Sequence, residues 1–152
     1  MRIGWCSRVV AGCALAVECA AAVSCASHEA TAPPKPWKEM EHEQRVEHMK
    51  HFVLPGMKAE FEAWKPDEFA EMDCATCHGE GARDKTFRMP NPDLPKLPGV
   101  SNGFELLMAE NPDAAQFMSQ VVVPKMAAML GEQPYGAKAR DGFGCFRCHT
   151  TK

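Results

Sequence analysis

The chain has no lysine/arginine block: its 17 basic and 20 acidic residues, a net charge of −3, are spread along 152 residues. So mild and mixed a balance excludes the electrostatic footprint of a nucleic-acid-binding protein. Nor is there a sustained alternation of apolar and polar residues, which argues against a half-buried β-sheet as the organising layer. The "VVV" at 121–123 sits inside a helical window. The longest apolar region is too short and interrupted to be a comfortable membrane span. Past residue 25 no cysteine is spare, because Cys74, Cys77, Cys145 and Cys148 all fall in two short motifs. That leaves none for an ordinary disulfide framework. The length suits one ordinary domain or two very small ones.

The beginning reads as a secretory signal peptide over residues 1–24, with Arg2 and Arg8 ahead of the apolar "VVAGCALAVECAAAVSC". "AVSC", ending at Cys25, resembles a lipoprotein box, so the two expectations are lipid attachment at Cys25 and plain cleavage near Ala26. Residues 25–36 then form a Pro-rich tether. Losing Arg2, Arg8 and Glu18 makes the exported chain one unit more negative.

The remainder predicts a mainly α fold with long Pro-rich loops and little or no β structure. Over 38–64, Val46, Met49, Val53, Met57 and Phe61 recur at spacings of three or four, one helical stripe. Pro55 is expected to kink this helix or divide it. Pro66 and Gly79 frame a second short helix. The four prolines of 88–103 dictate loop or polyproline-like chain. Phe104, Leu107 and Met108 suggest a short helix, and a longer one runs over 111–131, with Asn111 as its cap, Pro112 first and Gly131 closing it.

Within these helices lies a repeat. Met49, Val53, Pro55 and Met57 match Met118, Val122, Pro124 and Met126, every pair 69 residues apart. "CATCH" (74–78) and "CFRCH" (145–149) follow them, 71 apart. The reading is an internal duplication of one unit: a Pro-bearing helix ending in Met, a turn, and a motif of two cysteines and a histidine. Residues 37–98 form the first unit with its Pro-rich loop, and 99–152 the second.

The histidine decides the chemistry of the motif. Thiols at i and i+3 lie on one face of a helical turn, where each adds to one vinyl group of a haem, and the next residue offers its imidazole to the iron. This is the c-type haem attachment signature. Cys74, Cys77, Cys145 and Cys148 are therefore the thioether cysteines, and His78 and His149 the proximal ligands, of two covalently attached haem c groups. A zinc ribbon also uses cysteine pairs, but it needs neither histidine and usually builds on β knuckles. A thioredoxin-like dithiol needs a βαβ setting.

The second iron ligand is the harder question. Met89 in "RMPNP" is tempting, but only Thr150, Thr151 and Lys152 follow His149, so a shared answer is expected upstream. The duplicated Met57 and Met126 supply it. Against this, methionines on an apolar stripe are ordinary core filler, the reading for Met40 and Met129 and also for Met49 and Met118. His48 and His51 are the alternatives for the first haem. Their counterparts are Phe117 and Gln120, so both read as solvent-facing. Arg88, Lys58 and Lys125 are candidates to meet haem propionates.

Over about 45–80 and 114–149, the Met helix, turn and CxxCH motif resemble the repeat units of the tetrahaem cytochrome subunit of photosynthetic reaction centres. More distantly, they resemble class II cytochromes with Met on an early helix. The chain departs from the first family in having two units rather than four, so a reaction-centre role is not implied. The resemblance implies a multihaem electron carrier with haem units paired about a local two-fold axis, and it carries over Cys74, Cys77, His78 and Met57, and Cys145, Cys148, His149 and Met126. The expectation is thus an exported dihaem cytochrome c, on the periplasmic or cell-surface side, passing single electrons between redox proteins and not acting as an enzyme. The alternative is a dihaem enzyme or gas sensor with one open iron site.

Overall fold

Proline without a helix break is the first surprise of the fold. In chain order the elements are α1 (His42–His48), α2 (Leu54–Trp64), α3 (Pro66–Phe69), α4 (Cys74–His78), α5 (Glu80–Arg83), α6 (Gly103–Glu110), α7 (Pro112–Phe117) and α8 (Val123–Met129). Short 3-10 turns lie at Trp37–Glu39 and Cys145–Arg147. The structure is a computed structural model describing residues 35–152; the targeting segment 1–24, Cys25 and nearly all of the tether lie outside the described residues. Among the described residues the chain is mainly helical, with three isolated bridges and no sheet, and no helix is long and apolar enough to cross a membrane.

Pro55 does not divide its helix. α1 runs through a π-helical turn, Met49–Val53, directly into α2. Pro55 has no N–H to offer the His51 carbonyl four residues back, and its ring crowds that turn. The chain widens instead: Leu54 N–H bonds to Met49 O, five residues back. The second helix does the same. α7 passes through a π turn at Met118–Val122 into α8, and Val123 N–H bonds to Met118 O.

The two bent helices pack on each other reciprocally: the π turn of the first touches α8, and that of the second touches α2. Gly56 lets Met129 lie directly on the α2 backbone. Lys125 Nζ meets Glu60 Oε1 at 2.5 Å across the crossing. The sequence stripe faces inward as expected. Val53, Met57 and Phe61 are buried with Met72, Phe117, Ala127, Met129, Leu130 and Phe143. Phe61 meets Phe117 edge-on at 5.0 Å, and Trp64 stacks on Phe117 at 4.2 Å, arrangements that add to plain burial.

Helix ends follow local chemistry, with two corrections. Gly131, at φ 66°, closes the second helix. Its N–H bonds to Ala128 O and the next N–H, of Glu132, to Ala127 O, the pattern of a Schellman close. Asn111 stands at the N-cap of α7, but its side chain caps nothing. The single short helix expected between Pro66 and Gly79 is two, α3 and α4, because Asp73 starts a new one: its Oδ1 accepts from Ala75 N at 2.8 Å and Thr76 N at 3.2 Å.

Candidate functional site

The two motifs fold differently. Cys74–His78 is α-helical, so Cys74 and Cys77 share one face of a turn. Cys145–Arg147 is 3-10, preceded by an extended Gly144 with no side chain to cap it, although His149 N–H still reaches Cys145 O at 2.9 Å. All four thiols are free and half-buried. Burial pushes the Cys77 thiol up to about 11, with Cys74 and then Asp73 adding to the effect. Burial likewise pushes Cys148 up to about 12, with Cys77 the next cause, so a thiol of each motif lies within electrostatic reach of the other. Cys145 is raised by burial too.

These shifts give the haem-free chain an alkaline weakness. Between the ordinary thiol value and the raised one, the unfolded chain has lost its proton and the folded chain has not, so rising pH favours unfolding. Stability is expected to be intact below pH 9 and to fall by on the order of a few kcal/mol as pH climbs toward 11–12. Urea midpoints of the haem-free chain at pH 8 and pH 11 measure this, and equal midpoints would refute it. A thioether has no proton to lose, so haem attachment should remove the slope.

The two histidines are held in different ways. His149 Nδ1 lies 2.9 Å from Pro95 O. With Nδ1 donating to that carbonyl, Nε2 is left bare and aimed by the contact, as metal-binding imidazoles are commonly held. His78 has its ring edge-on to Phe87 at 5.4 Å, and its Nδ1 is buried with no hydrogen-bond partner. Burial lowers its pKa; the nearby Phe87 backbone offsets this in part without reaching hydrogen-bonding geometry.

Beside His78 opens a cleft of about 510 Å³. Met49, Met89, Phe87 and Pro90 line it, with Arg45 and Arg147 among the polar groups. A space of this size, its lining about equally polar and apolar with Trp37, Phe87 and Phe146 and two guanidinium groups, has room for a flat ring carrying carboxylates. The His78 ring at its wall, with thiols within one helical turn, fits haem c. Among the described residues, no three His, Cys, Asp or Glu side chains converge as a metal-binding group. A zinc ribbon would need such a set, whereas haem iron asks the chain for one or two ligands.

The remaining candidates separate. Met57 is buried in the core at 4% exposure, Met126 packs half-buried against that core, and neither lines the cleft at His78. Met49 and Met89 do line it, although the sequence gives the first as core filler and the second as a tempting but unshared ligand. His48 is not solvent-facing: its Nε2 lies 2.9 Å from Met129 O, and its ring sits against Phe52 at 5.1 Å. His51 is exposed and paired with Glu47 at 3.0 Å. Of the cations suggested for propionates, Lys58 donates to Ala70 O at 2.6 Å and Lys125 is held by Glu60. Arg88 is exposed and lies outside the cleft lining. Arg45 and Arg147 line the cleft instead, brought there by tertiary packing that leaves no mark on local sequence. Arg45 donates to the Trp37 and Lys38 carbonyls and Arg147 pairs with Glu132 at 3.0 Å, so each would have to turn from its partner to meet a propionate. No family model, no curated protein and no solved structure matches this chain.

Proposed function

We propose that this chain is an exported dihaem cytochrome c that passes single electrons between redox proteins. The observation that carries this is the twice-used Cys-x-x-Cys-His motif, in which the second imidazole is held on a backbone carbonyl at 2.9 Å with its Nε2 left free. Cys74 and Cys77 would hold one haem with His78 on its iron; Cys145, Cys148 and His149 would hold the other. Haem iron, once bound, supplies a reversible one-electron couple. The polypeptide holds the His149 imidazole on a carbonyl, half-buries the four cysteines and places Arg45 and Arg147 in the lining of the cleft.

The paired π turns at a constant spacing of 69 residues, each touching the other helix beyond its proline, support an internal duplication about a local two-fold axis. On that reading Met57 and Met126 remain the matched distal ligands. The cleft lining supports a second reading for the first haem, with Met49 or Met89 on the iron. The alternative of an enzyme or sensor requires one iron without a sixth ligand.

Haem stain and pyridine haemochrome spectra of protein from a host with haem-maturation machinery are expected to give two haems per chain; none would end the proposal. Met57→Ala and Met126→Ala are each expected to abolish one haem's near-infrared Met–iron band. If that band survives Met57→Ala and vanishes in Met49→Ala or Met89→Ala, the cleft reading replaces the repeat reading. A high-spin ferric haem in the unaltered protein would favour the enzyme or sensor.

A further inference from the structure

The segment that binds the two motifs together comes from neither of them. It is the Pro-rich stretch "NPDLPKL", 91–97, which follows the first motif and lies along both. Asn91 is its anchor, and is the one polar residue buried among those described, 3% exposed. Its side-chain Nδ2 donates to Cys77 O at 2.9 Å, in the first motif. Its backbone N–H donates to Cys148 O at 2.8 Å, in the second. Its Oδ1 accepts from Asp93 N at 2.9 Å, so every polar group of the side chain is occupied.

The rest of the segment continues along the second motif. Pro95 O meets His149 Nδ1 at 2.9 Å. Leu97 N–H bonds to Thr150 O at 2.9 Å, and Lys152 N–H returns to Leu97 O at 2.9 Å. The prolines at 92, 95 and 98 have no N–H to compete and cut the conformational freedom of the free segment, so it is stiff before it docks. On its other side, Gly79 presses against Asn91 and Asp93, and a Cβ there would stand 3.1 Å from Asn91 Nδ2.

We propose that residues 91–97 form a strap that sets the position of the two haem-attachment motifs relative to each other, with Asn91 as the positioning residue for both. The side chain of Asn91 holds the first motif, its backbone holds the second, and Pro95 orients the second imidazole four residues further on. The second haem site is thus completed by chain that follows the first motif. The consequence is electronic as well as structural. The orientation of an axial imidazole and the hydrogen bond on its outer nitrogen are among the levers on a haem's potential, and the strap controls both at His149.

The inference rests on the dihaem reading, and its test separates the two. Haem content of the unaltered protein comes first: no haem defeats the functional reading. With two haems present, the potentials are measured by spectroelectrochemistry and the ferric g-values by electron paramagnetic resonance, in the unaltered protein and in Asn91→Ala and Asn91→Asp. Asn91→Ala loses the Cys77 contact and the turn to Asp93, and is expected to shift the midpoint potentials and g-values of both haems. Asn91→Asp keeps the Oδ1 acceptor and the backbone N–H, and replaces the donor to Cys77 O with a carboxylate oxygen that repels that carbonyl. It is expected to change the g-values of the first haem and leave those of the second near their original values. If Asn91→Ala does not load haem, Asn91→Asp decides alone. Melting at a lower temperature with potentials and g-values unchanged would make Asn91 merely structural and overturn the proposal. So would a change confined to the second haem in Asn91→Asp.

Discussion

Gly79→Ala is expected to lower the melting temperature by roughly 10 °C or more, from a cost of about 3 kcal/mol. Gly79 has φ 54° and ψ −133°, a conformation that L side chains rarely adopt. A Cβ placed on it would also lie 2.5 Å from Asp93 Oδ2. Strain and overlap therefore act together: the exposed Asp93 carboxylate can turn aside, but its Cβ, 3.3 Å away, is fixed to the strap, and the backbone strain directly after His78 stays. Gly81 is the control. It lies in α5, and a Cβ there would meet nothing nearer than 3.4 Å, so Gly81→Ala should change stability by less than about 1 kcal/mol. Thermal melts followed by circular dichroism compare the two, and a Gly79→Ala protein melting with the unaltered one would refute the argument. Because the turn sits between His78 and the strap, the haem spectrum of Gly79→Ala is expected to change as well.

Haem loading is expected to stabilise the chain more than any single side chain does. The core is thin: among the described residues ten hydrophobic side chains are buried, and none of the large ones is fully enclosed. Phe146 stays 49% exposed and Phe104 equally so, with both apolar rings left uncovered by the described residues. Two covalently held macrocycles would add apolar area that a chain this size cannot bury by itself. Haem-free protein made without maturation machinery should show a broad, low-temperature transition, and the loaded protein a sharp and much higher one. A cooperative haem-free transition at the same temperature would contradict this.

The helices themselves were legible from residue order. The stripe Val53, Met57 and Phe61 faces the core because a 3.6-residue period places those side chains on one face. Gly131 closes its helix because glycine takes a left-handed conformation without strain. Of the two outcomes expected of Pro55, division did not occur, since a wider turn accommodates the proline and the helix continues through it. The uncapped Asn111 was misjudged because residue type marks a cap position but does not guarantee its hydrogen bond.

Of the candidate site, the sequence alone determined the pattern on which the haem proposal rests: two thiol pairs, each followed directly by a histidine, are a feature of residue order independent of packing. It also placed Met57 and Met126 at equivalent steps, because a repeat is a property of order. Only the tertiary structure decided which groups meet. The approach of Cys77 to Cys148, the cleft that sets Met49, Met89, Arg45 and Arg147 beside His78, the hold of His48 on Met129 O, and the seat of Asn91 between the motifs all join residues far apart in the chain. Such meetings depend on how helices cross and on where a stiff proline-rich segment comes to rest. Those outcomes are set by the summed packing of the whole chain, and no local pattern of residues records them.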